Sequence, residues 1–450
     1  NPYYTAYEQL NKLDRDRVFG NLAATINFTE ELSLILRCGM DLNNDFRTQQ
    51  KPKGAKTYIN GMYKEQTVFD YEMNNDFLLR YTKKLNDFDL SASFGGNNMM
   101  QSYRSNTSLA ESLVVDRDYR LSNSVDRPKV TSIRRQKSIN SFYGLISASW
   151  RNMIFLDVTG RNDWESALAF SKYKSFFYPS VGLSAVVSEM VDMPEWFSFL
   201  KVRGSYSAVG SSYAAYLTKP YYDYKGQTHE WDSLHRFPND DLKPEKTKSW
   251  EVGLNARFFG GKLNLDATWY RSDTFNQTFE STPSSTSGYS SVLVQAGQVR
   301  NSGLEMLLSY HNTWRDFSWN TSVTYTMNRN KIIRLANGVI SPVDGQPIDM
   351  PYLEKATLGD AGSPQVILYE GGTMGDLYIN RELRTDLNGN IYVDPQTNKV
   401  ELTTTERRKV ASLLPKGNIG WSNSFAWKGL NLNVMFAARL GGSVVSNTEA

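Results

Sequence analysis

The chain has 450 residues, 40% of them hydrophobic and 13% aromatic, with 50 basic against 47 acidic side chains for a net charge of +3. This near balance argues against a nucleic-acid footprint or another polyanionic partner, and no run approaches the roughly 18 apolar residues that a membrane-spanning helix needs. A single cysteine, Cys38, excludes an intrachain disulfide framework and a multi-cysteine zinc site.

Along the chain, segments that alternate apolar and polar side chains come in pairs joined by tight turns, the pattern of β-hairpins. The first pair covers about 17–28 and 31–42 around Thr29-Glu30. It places Leu22, Ala24, Ile26 and Phe28 on one face and Asn21, Thr25 and Asn27 on the other. Cys38 falls in register with Leu34, Leu36 and Met40, so it belongs to the apolar face as an inert residue. The second pair, about 72–84 and 87–96, turns near Asn86-Asp87; the third joins Phe142–Trp150 to Ile154–Val158 through Arg151-Asn152, with Asp157, Thr159 and Arg161 on the polar face. A fourth runs from Tyr173 to Met190 and returns through Leu200, Val202, Gly204 and Tyr206. The fifth is the clearest: Trp250, Val252, Leu254, Ala256 and Phe258, then Gly260-Gly261, then Leu263, Leu265, Ala267 and Trp269. Leu304–Tyr310 with Phe317–Tyr325, and Ile419–Trp427 with Leu430–Ala438 around Lys428-Gly429, complete the set.

Between the pairs lie polar, often long stretches: 43–71, 97–138, 162–172, 211–246, 273–291 and 329–414. Short turns at one end and long loops at the other are the arrangement of an outer-membrane barrel, with apolar residues toward lipid and polar ones toward water. The expected fold is therefore all-β: a transmembrane antiparallel β-barrel of about fourteen strands with long extracellular loops, 329–414 being a large extracellular insertion. That many strands enclose a lumen too wide for side chains alone to fill. Trp150, Tyr206, Trp250, Trp269, Trp319 and Trp427 then belong to interfacial aromatic girdles.

Several stretches carry a family resemblance. Phe177-Tyr178-Pro179-Ser180-Val181-Gly182-Leu183-Ser184, Val202-Arg203-Gly204-Ser205-Tyr206-Ser207-Ala208-Val209-Gly210 and the run Leu242-Lys243-Pro244-Glu245 through Leu254 resemble the barrel of TonB-dependent receptors. Their order and spacing, followed by Asn301-Ser302-Gly303-Leu304-Glu305, Gly372-Thr373-Met374-Gly375-Asp376-Leu377-Tyr378 and Leu414-Pro415-Lys416-Gly417-Asn418-Ile419-Gly420-Trp421, resemble the SusC/RagA branch found in Bacteroidetes. The resemblance implies a barrel of about 22 strands with a plugged lumen, of which these 450 residues are an interior portion without plug, TonB box or closing strands. It further implies energy from the TonB complex, a SusD-like lipoprotein as substrate-capturing lid, a dimer of transporter–lid pairs, contact with the lipid bilayer and lipopolysaccharide, no cofactor, and transport without catalysis.

The expected function is TonB-dependent import of an oligomeric nutrient, a glycan ahead of a peptide, across the bacterial outer membrane. The alternative is a surface-exposed β-rich adhesin whose apolar faces pair in a sandwich. Candidate substrate contacts are the aromatics crowded into 211–246, namely Tyr213, Tyr216, Tyr221, Tyr222, Tyr224 and Trp231, accompanied by His229 and His235; aromatic faces stack on sugar rings and their polar edges hydrogen-bond. Trp164, beside Asn162, Asp163 and Glu165, is a further candidate at the lumen mouth, the alternative being a girdle residue. No metal site is expected: Asp386-Leu387-Asn388-Gly389-Asn390 has its glycine in the wrong place for a calcium loop and Thr397 where a bidentate Glu is needed, and reads better as an Asx-rich turn. The basic run Arg134-Arg135-Gln136-Lys137 is expected at a solvated strand end, within reach of lipopolysaccharide phosphates.

Overall fold

The computed structural model describes residues 2–446 except 212, 219–223, 226–229, 232–235, 282, 284, 337, 349 and 359–362. Its strands are β1 (Asn11–Asn27), β2 (Leu32–Ala55), β3 (Tyr58–Leu85), β4 (Phe88–Ala110), β5 (Lys129–Trp150), β6 (Ile154–Glu165), β7 (Ser175–Val186) and β8 (Phe197–Ser211); the two-residue strands β9 (Tyr224–Lys225), β10 (Glu230–Trp231) and β11 (Arg236–Phe237); β12 (Glu245–Phe258), β13 (Leu263–Ser281), β14 (Ser291–Trp314) and β15 (Phe317–Arg334); β16 (Tyr352–Thr357), β17 (Gln365–Tyr369), β18 (Asp376–Leu383) and β19 (Leu402–Ser412); and β20 (Gly417–Trp427) and β21 (Leu430–Leu440). Fourteen of them pair in one antiparallel wall, β1 through β8, then β12 through β15, β20 and β21, every strand next to its sequence neighbour in that path. The wall is open, with β1 and β21 each paired on one side.

Register puts the two chemistries on opposite faces. Leu22 stands opposite Cys38, Ala24 opposite Leu36 and Ile26 opposite Leu34; Val252 stands between Gly204 and Trp269; Trp421 stands between Val323 and Phe436. These outward residues remain uncovered: Leu22 is 79% exposed, Val252 60% and Phe436 58%. Leaving such a side chain in water forgoes about 1.5–3 kcal/mol each, so the face requires a lipid solvent. No second sheet lies over it among the described residues, which overturns the sandwich expected of the adhesin alternative.

The short turns gather at one end, apart from the two-residue join 56–57 at the other. Arg151 and Asn152 have φ of 50° and 56°, Lys428 and Gly429 of 44° and 88°, the left-handed pair that a two-residue hairpin demands. At this end Trp196 stacks on Phe197 and Phe258 with centroids 5.7 and 6.0 Å away, and Trp314 stacks on Phe317 at 6.1 Å. Farther along the wall, Phe94 stacks on Phe142 at 5.9 Å, Phe142 meets Trp164 edge-on at 6.0 Å, and Tyr206 packs on Trp250 at 4.6 Å. Aromatic belts at two heights are what two membrane interfaces call for.

Several expected loops are strand instead. Most of 43–71 and 97–138 belongs to β2 through β5, which are 22 to 28 residues long, and only residues 56–57 join β2 to β3. The strict alternation of short turns and long loops fails at that connection. A strand needs about 9–11 residues to cross the membrane; beyond that both faces meet water, the apolar alternation fades, and polar sequence that looks like loop continues the ladder. In the same way β6 runs to Glu165 through the expected loop 162–172, and β13 to Ser281 through 273–291.

The stretch 329–414 is not a plain loop. β16 through β19 form a four-stranded sheet that caps the end opposite the short turns. Its Val366, Leu368 and Leu377 pack with Ile332, Leu335 and the overhanging part of β13 and β14 (Phe279, Val292, Val294, Val299) in the main buried cluster. The apolar core of the molecule therefore sits in this cap, outside the wall.

Candidate functional site

The inward face of the wall carries ion pairs within and across strands, with Arg15 directly opposite Asp45 and Arg37 directly opposite Asp76. Arg15 Nε lies 2.6 Å from Asp45, which also accepts from Arg47 at 2.6 Å; Arg17 meets Asp41 and Arg37 meets Asp76, both at 2.6 Å. Farther round, Arg161 donates to Asp163 at 2.7 Å and to Ser141 Oγ at 2.8 Å, while the Tyr178 hydroxyl donates to the same carboxylate. Arg203 donates to Asp266 at 2.8 Å and to Thr268 Oγ1 at 2.5 Å, and Asn255 donates to Asp266 at 3.0 Å. Arg203 lies flat over Gly253, where a Cβ would stand 2.6 Å from its Nε. Solvent screens pairs of this kind, so they add little to stability. Their chemical effect is a wall of fixed, mutually neutralised hydrogen-bonding groups.

The loop 211–246 is secured from both ends. Tyr213 is buried with Leu168, Leu242 and Leu293, against Phe176 and Leu217. Its hydroxyl hydrogen-bonds the Lys243 carbonyl and the Gln295 side chain, and burial pushes its phenol up to about 12. Around it Thr218 Oγ1 donates to the Ala167 carbonyl at 2.9 Å, and Ser171 Oγ to the Leu242 carbonyl at 2.7 Å. Tyr216, at φ 72°, accepts the Gln136 N–H at its hydroxyl (3.1 Å), which ties the loop to β5. At the far end β11 pairs in parallel with Ser291 and Val292 of β14.

The aromatic candidates do not form one constellation. Tyr213 is a buried anchor and Tyr216 a brace; Tyr224 and Trp231 are backbone register partners in the β9–β10 pair; Tyr221, Tyr222, His229 and His235 lie outside the described residues. Trp164 sits on the outward face between Asn140 and Ser175, away from the lumen, because residue 164 continues β6 in register instead of starting a loop. In the stretch 386–390 the Asp386 carboxylate accepts the N–H groups of Asn388 and Asn390, each at 2.8 Å, so the turn satisfies its own carboxylate.

A functional cluster that sequence reasoning left without a role holds the cap. Asp376, 1% exposed, accepts from Thr373 N–H at 3.0 Å, Thr373 Oγ1 at 2.5 Å and Lys409 Nζ at 2.7 Å. Burial would raise this carboxyl, but the Lys409 and Thr373 donors outweigh it and hold the carboxyl below its usual range. The next residue of the turn, Met374, donates its N–H to Asn330 Oδ1 of β15 at 2.8 Å. The Gly372–Tyr378 stretch is thus the clasp between cap and wall.

A family model described as TonB dependent receptor-like, beta-barrel, matches residues 1–425. TonB-dependent receptor P3 of Formosa agariphila is 25% identical over 475 residues, covering 100% of this chain and 47% of the relative. TonB-dependent receptor SusC of Bacteroides thetaiotaomicron is 25% identical over 290 residues, covering 60% of this chain and 28% of the relative. Among solved structures, the RagAB peptide importer in its open-open state superposes with a TM-score of 0.77 at 20% identity, over 98% of this chain and 48% of that one. The chain spans about half the length of the first of these relatives and of the solved structure.

Proposed function

The chain belongs to the β-barrel family of TonB-dependent receptors, proteins of the bacterial outer membrane, and from that premise we propose that it forms the wall of an active importer for an oligomeric nutrient. The observation that carries this reading is the inner face: much of its charge is neutralised in ion pairs such as Arg15–Asp45, Arg37–Asp76 and Arg203–Asp266, set among hydroxyls and amides, while Asp70, Glu72, Glu251 and Glu305 stand there without an ion pair among the described residues. A surface without a strong net field favours a neutral polyhydroxylated solute over a charged one, so a glycan is preferred to a peptide, although the similar structure bears the name of a peptide importer. In this reading 211–246 supplies aromatic contacts to the solute through Tyr221, Tyr222, Tyr224 and Trp231. Tyr213 and Tyr216 hold that loop in place, and Trp164 serves the girdle. The insertion 329–414 lies on the extracellular side, a SusD-like lipoprotein closes over the rim, and the TonB complex energises the whole protein, which works as a dimer of transporter–lid pairs.

The test offers labelled oligosaccharides and oligopeptides of matched size to cells carrying the full-length protein, with and without a protonophore. Protein-dependent oligosaccharide uptake that the protonophore abolishes supports the proposal. Uptake indifferent to the protonophore removes the energy coupling, and uptake of peptides alone removes the glycan.

A further inference from the structure

A groove of about 730 Å³ opens on the outward face across β2 to β5, floored by Cys38 and Gly96 and walled by Leu36, Phe77 and Phe142. Gly96 creates it: a Cβ there would stand 2.6 Å from the Phe77 ring and 3.1 Å from the Phe142 ring. A rung of three amides closes one end, Asn75 opposite Asn98 opposite Asn140. Asn98 Nδ2 donates to Asn140 Oδ1 at 2.7 Å; among the described residues no protein group accepts from the side chains of Asn75 and Asn140. Three amides in a row on a lipid-facing surface call for a polar ligand, since unmet donors are costly at the edge of hydrocarbon.

Geometry gives the height of this rung. Asn75 lies about ten residues from Leu85 at the short-turn end of β3, roughly 33 Å at about 3.3 Å per residue. At a tilt of about 45° this is a rise of roughly 23 Å, close to the ~25 Å apolar band of such a wall. The amides therefore stand where acyl chains give way to headgroups. About six residues farther on, the same face carries Arg104 directly opposite Arg134. Both are exposed, Arg104 lies over the Phe69 ring at 5.5 Å, and among the described residues neither has a carboxylate within ion-pair distance. Like charges directly opposed across strands are destabilising unless an anion lies between them, and a guanidinium pair fits phosphate.

We propose that this strip binds one phosphorylated glycolipid of the outer leaflet: an acyl chain in the Gly96 groove, sugar hydroxyls and acyl carbonyls on the Asn75–Asn98–Asn140 rung, and a saccharide phosphate between Arg104 and Arg134. The spacing selects this class. From the rung to the arginines is roughly 20 Å of strand, a rise of about 14 Å, which a phospholipid headgroup seated at the rung does not span and a phosphorylated saccharide does. The proposal rests on the placement in the outer membrane and not on what the protein imports.

Native mass spectrometry of the full-length protein in detergent, titrated with purified rough-type lipopolysaccharide and separately with phosphatidylglycerol, tests it. The expected result is one tightly held lipopolysaccharide per wall, with binding weakened about tenfold or more in Arg104→Gln/Arg134→Gln and unchanged in Lys83→Gln/Lys84→Gln at the other end of the same hairpin. The arginine variant loses a repulsion and keeps every protein contact save the ring under Arg104, so it folds; unchanged heat-modifiable mobility on gels verifies this. Equal binding of phosphatidylglycerol, or retention of the lipopolysaccharide by the arginine variant, overturns the proposal.

Discussion

Replacing Asp376 with alanine should release the cap while leaving the wall intact. The carboxylate holds two Thr373 donors, at 3.0 and 2.5 Å, and Lys409 at 2.7 Å, from a position that is 1% exposed. Hydrogen bonds to a buried charge contribute about 1.5–3 kcal/mol each. Lys409 is half exposed and re-solvates, so its share is under about 1 kcal/mol. Taking the low end for the two Thr373 bonds, the loss is about 3–4 kcal/mol, all of it within the cap, in the turn that presents the Met374 N–H to Asn330 of the wall. Hydrogen exchange on the full-length protein reads this directly: protection of 365–369 and 402–412 should fall by roughly two to three orders of magnitude, while β6 to β8 stay unchanged. Asp376→Asn keeps an acceptor for the Thr373 N–H and should lose less. The carboxyl lies below its usual range, so its stabilisation is fully present above the unfolded value near 4 and is lost as pH falls through the lower folded value; cap protection should be flat at neutral pH and decline only in strong acid. Unchanged protection of 365–369 in the alanine variant, or an equal loss throughout the wall, would refute the clasp.

Gly303→Ala should cost about 1–3 kcal/mol or prevent assembly, read as the fraction of heat-modifiable folded protein. A Cβ there overlaps the Met327 carbonyl and stands 2.6 Å from Tyr270 Oη, and because the nearer obstacle is backbone, Tyr270→Leu should not rescue it. Cys38, exposed on the outward face beside Leu22, should resist a membrane-impermeant maleimide in intact outer membranes and react once lipid is stripped by detergent; fast labelling in membranes would contradict the lipid-facing assignment. Tyr213→Phe removes the donor to the Lys243 carbonyl and the acceptor of the Gln295 amide and should loosen 211–246 by about 1–2 kcal/mol, seen as faster proteolysis of that loop. With its phenol held neutral up to about 12, the wild-type loop should keep its protection below pH 10, where the unfolded phenol begins to ionise, and lose it progressively above.

The hairpins were legible because each membrane-crossing strand meets two different solvents: the faces assigned to Leu22, Ile146, Val252 and Trp269 are the faces that the register displays. The overhangs were not legible, since β2 to β5 are wet on both sides past the lipid and residues such as Asn43, Gln66 and Ser105 carry no alternating signal there. The buried half of the cap hides for another reason. Val366, Ile367 and Leu368 are a short apolar run with no period of its own, and the burial of Val366 and Leu368 depends on partners near 292–299 and 332–336 that only the folded chain brings together. Trp164 has the local sequence of a loop residue, since Asn162, Asp163 and Glu165 surround it, a composition that a strand passing from lipid to water also has. Asp376 lay inside a recognised stretch, yet its partner Lys409 is remote in sequence, so the clasp had no local signature.

The unequal strand lengths give the upper rim a skyline with two towers. β2 to β5 rise on one side and β13 to β15 with the cap on the other, while β6 to β8 and β12, 12 to 15 residues each, leave a low span between them. The described parts of 211–246 are tied to both towers: Tyr216 to Gln136 on the first, and Arg236 and Phe237 to Ser291 and Val292 on the second. A lean of either tower therefore strains a tie of the same loop, so a change in the distance between the towers is felt at Tyr216 and at Arg236 and Phe237.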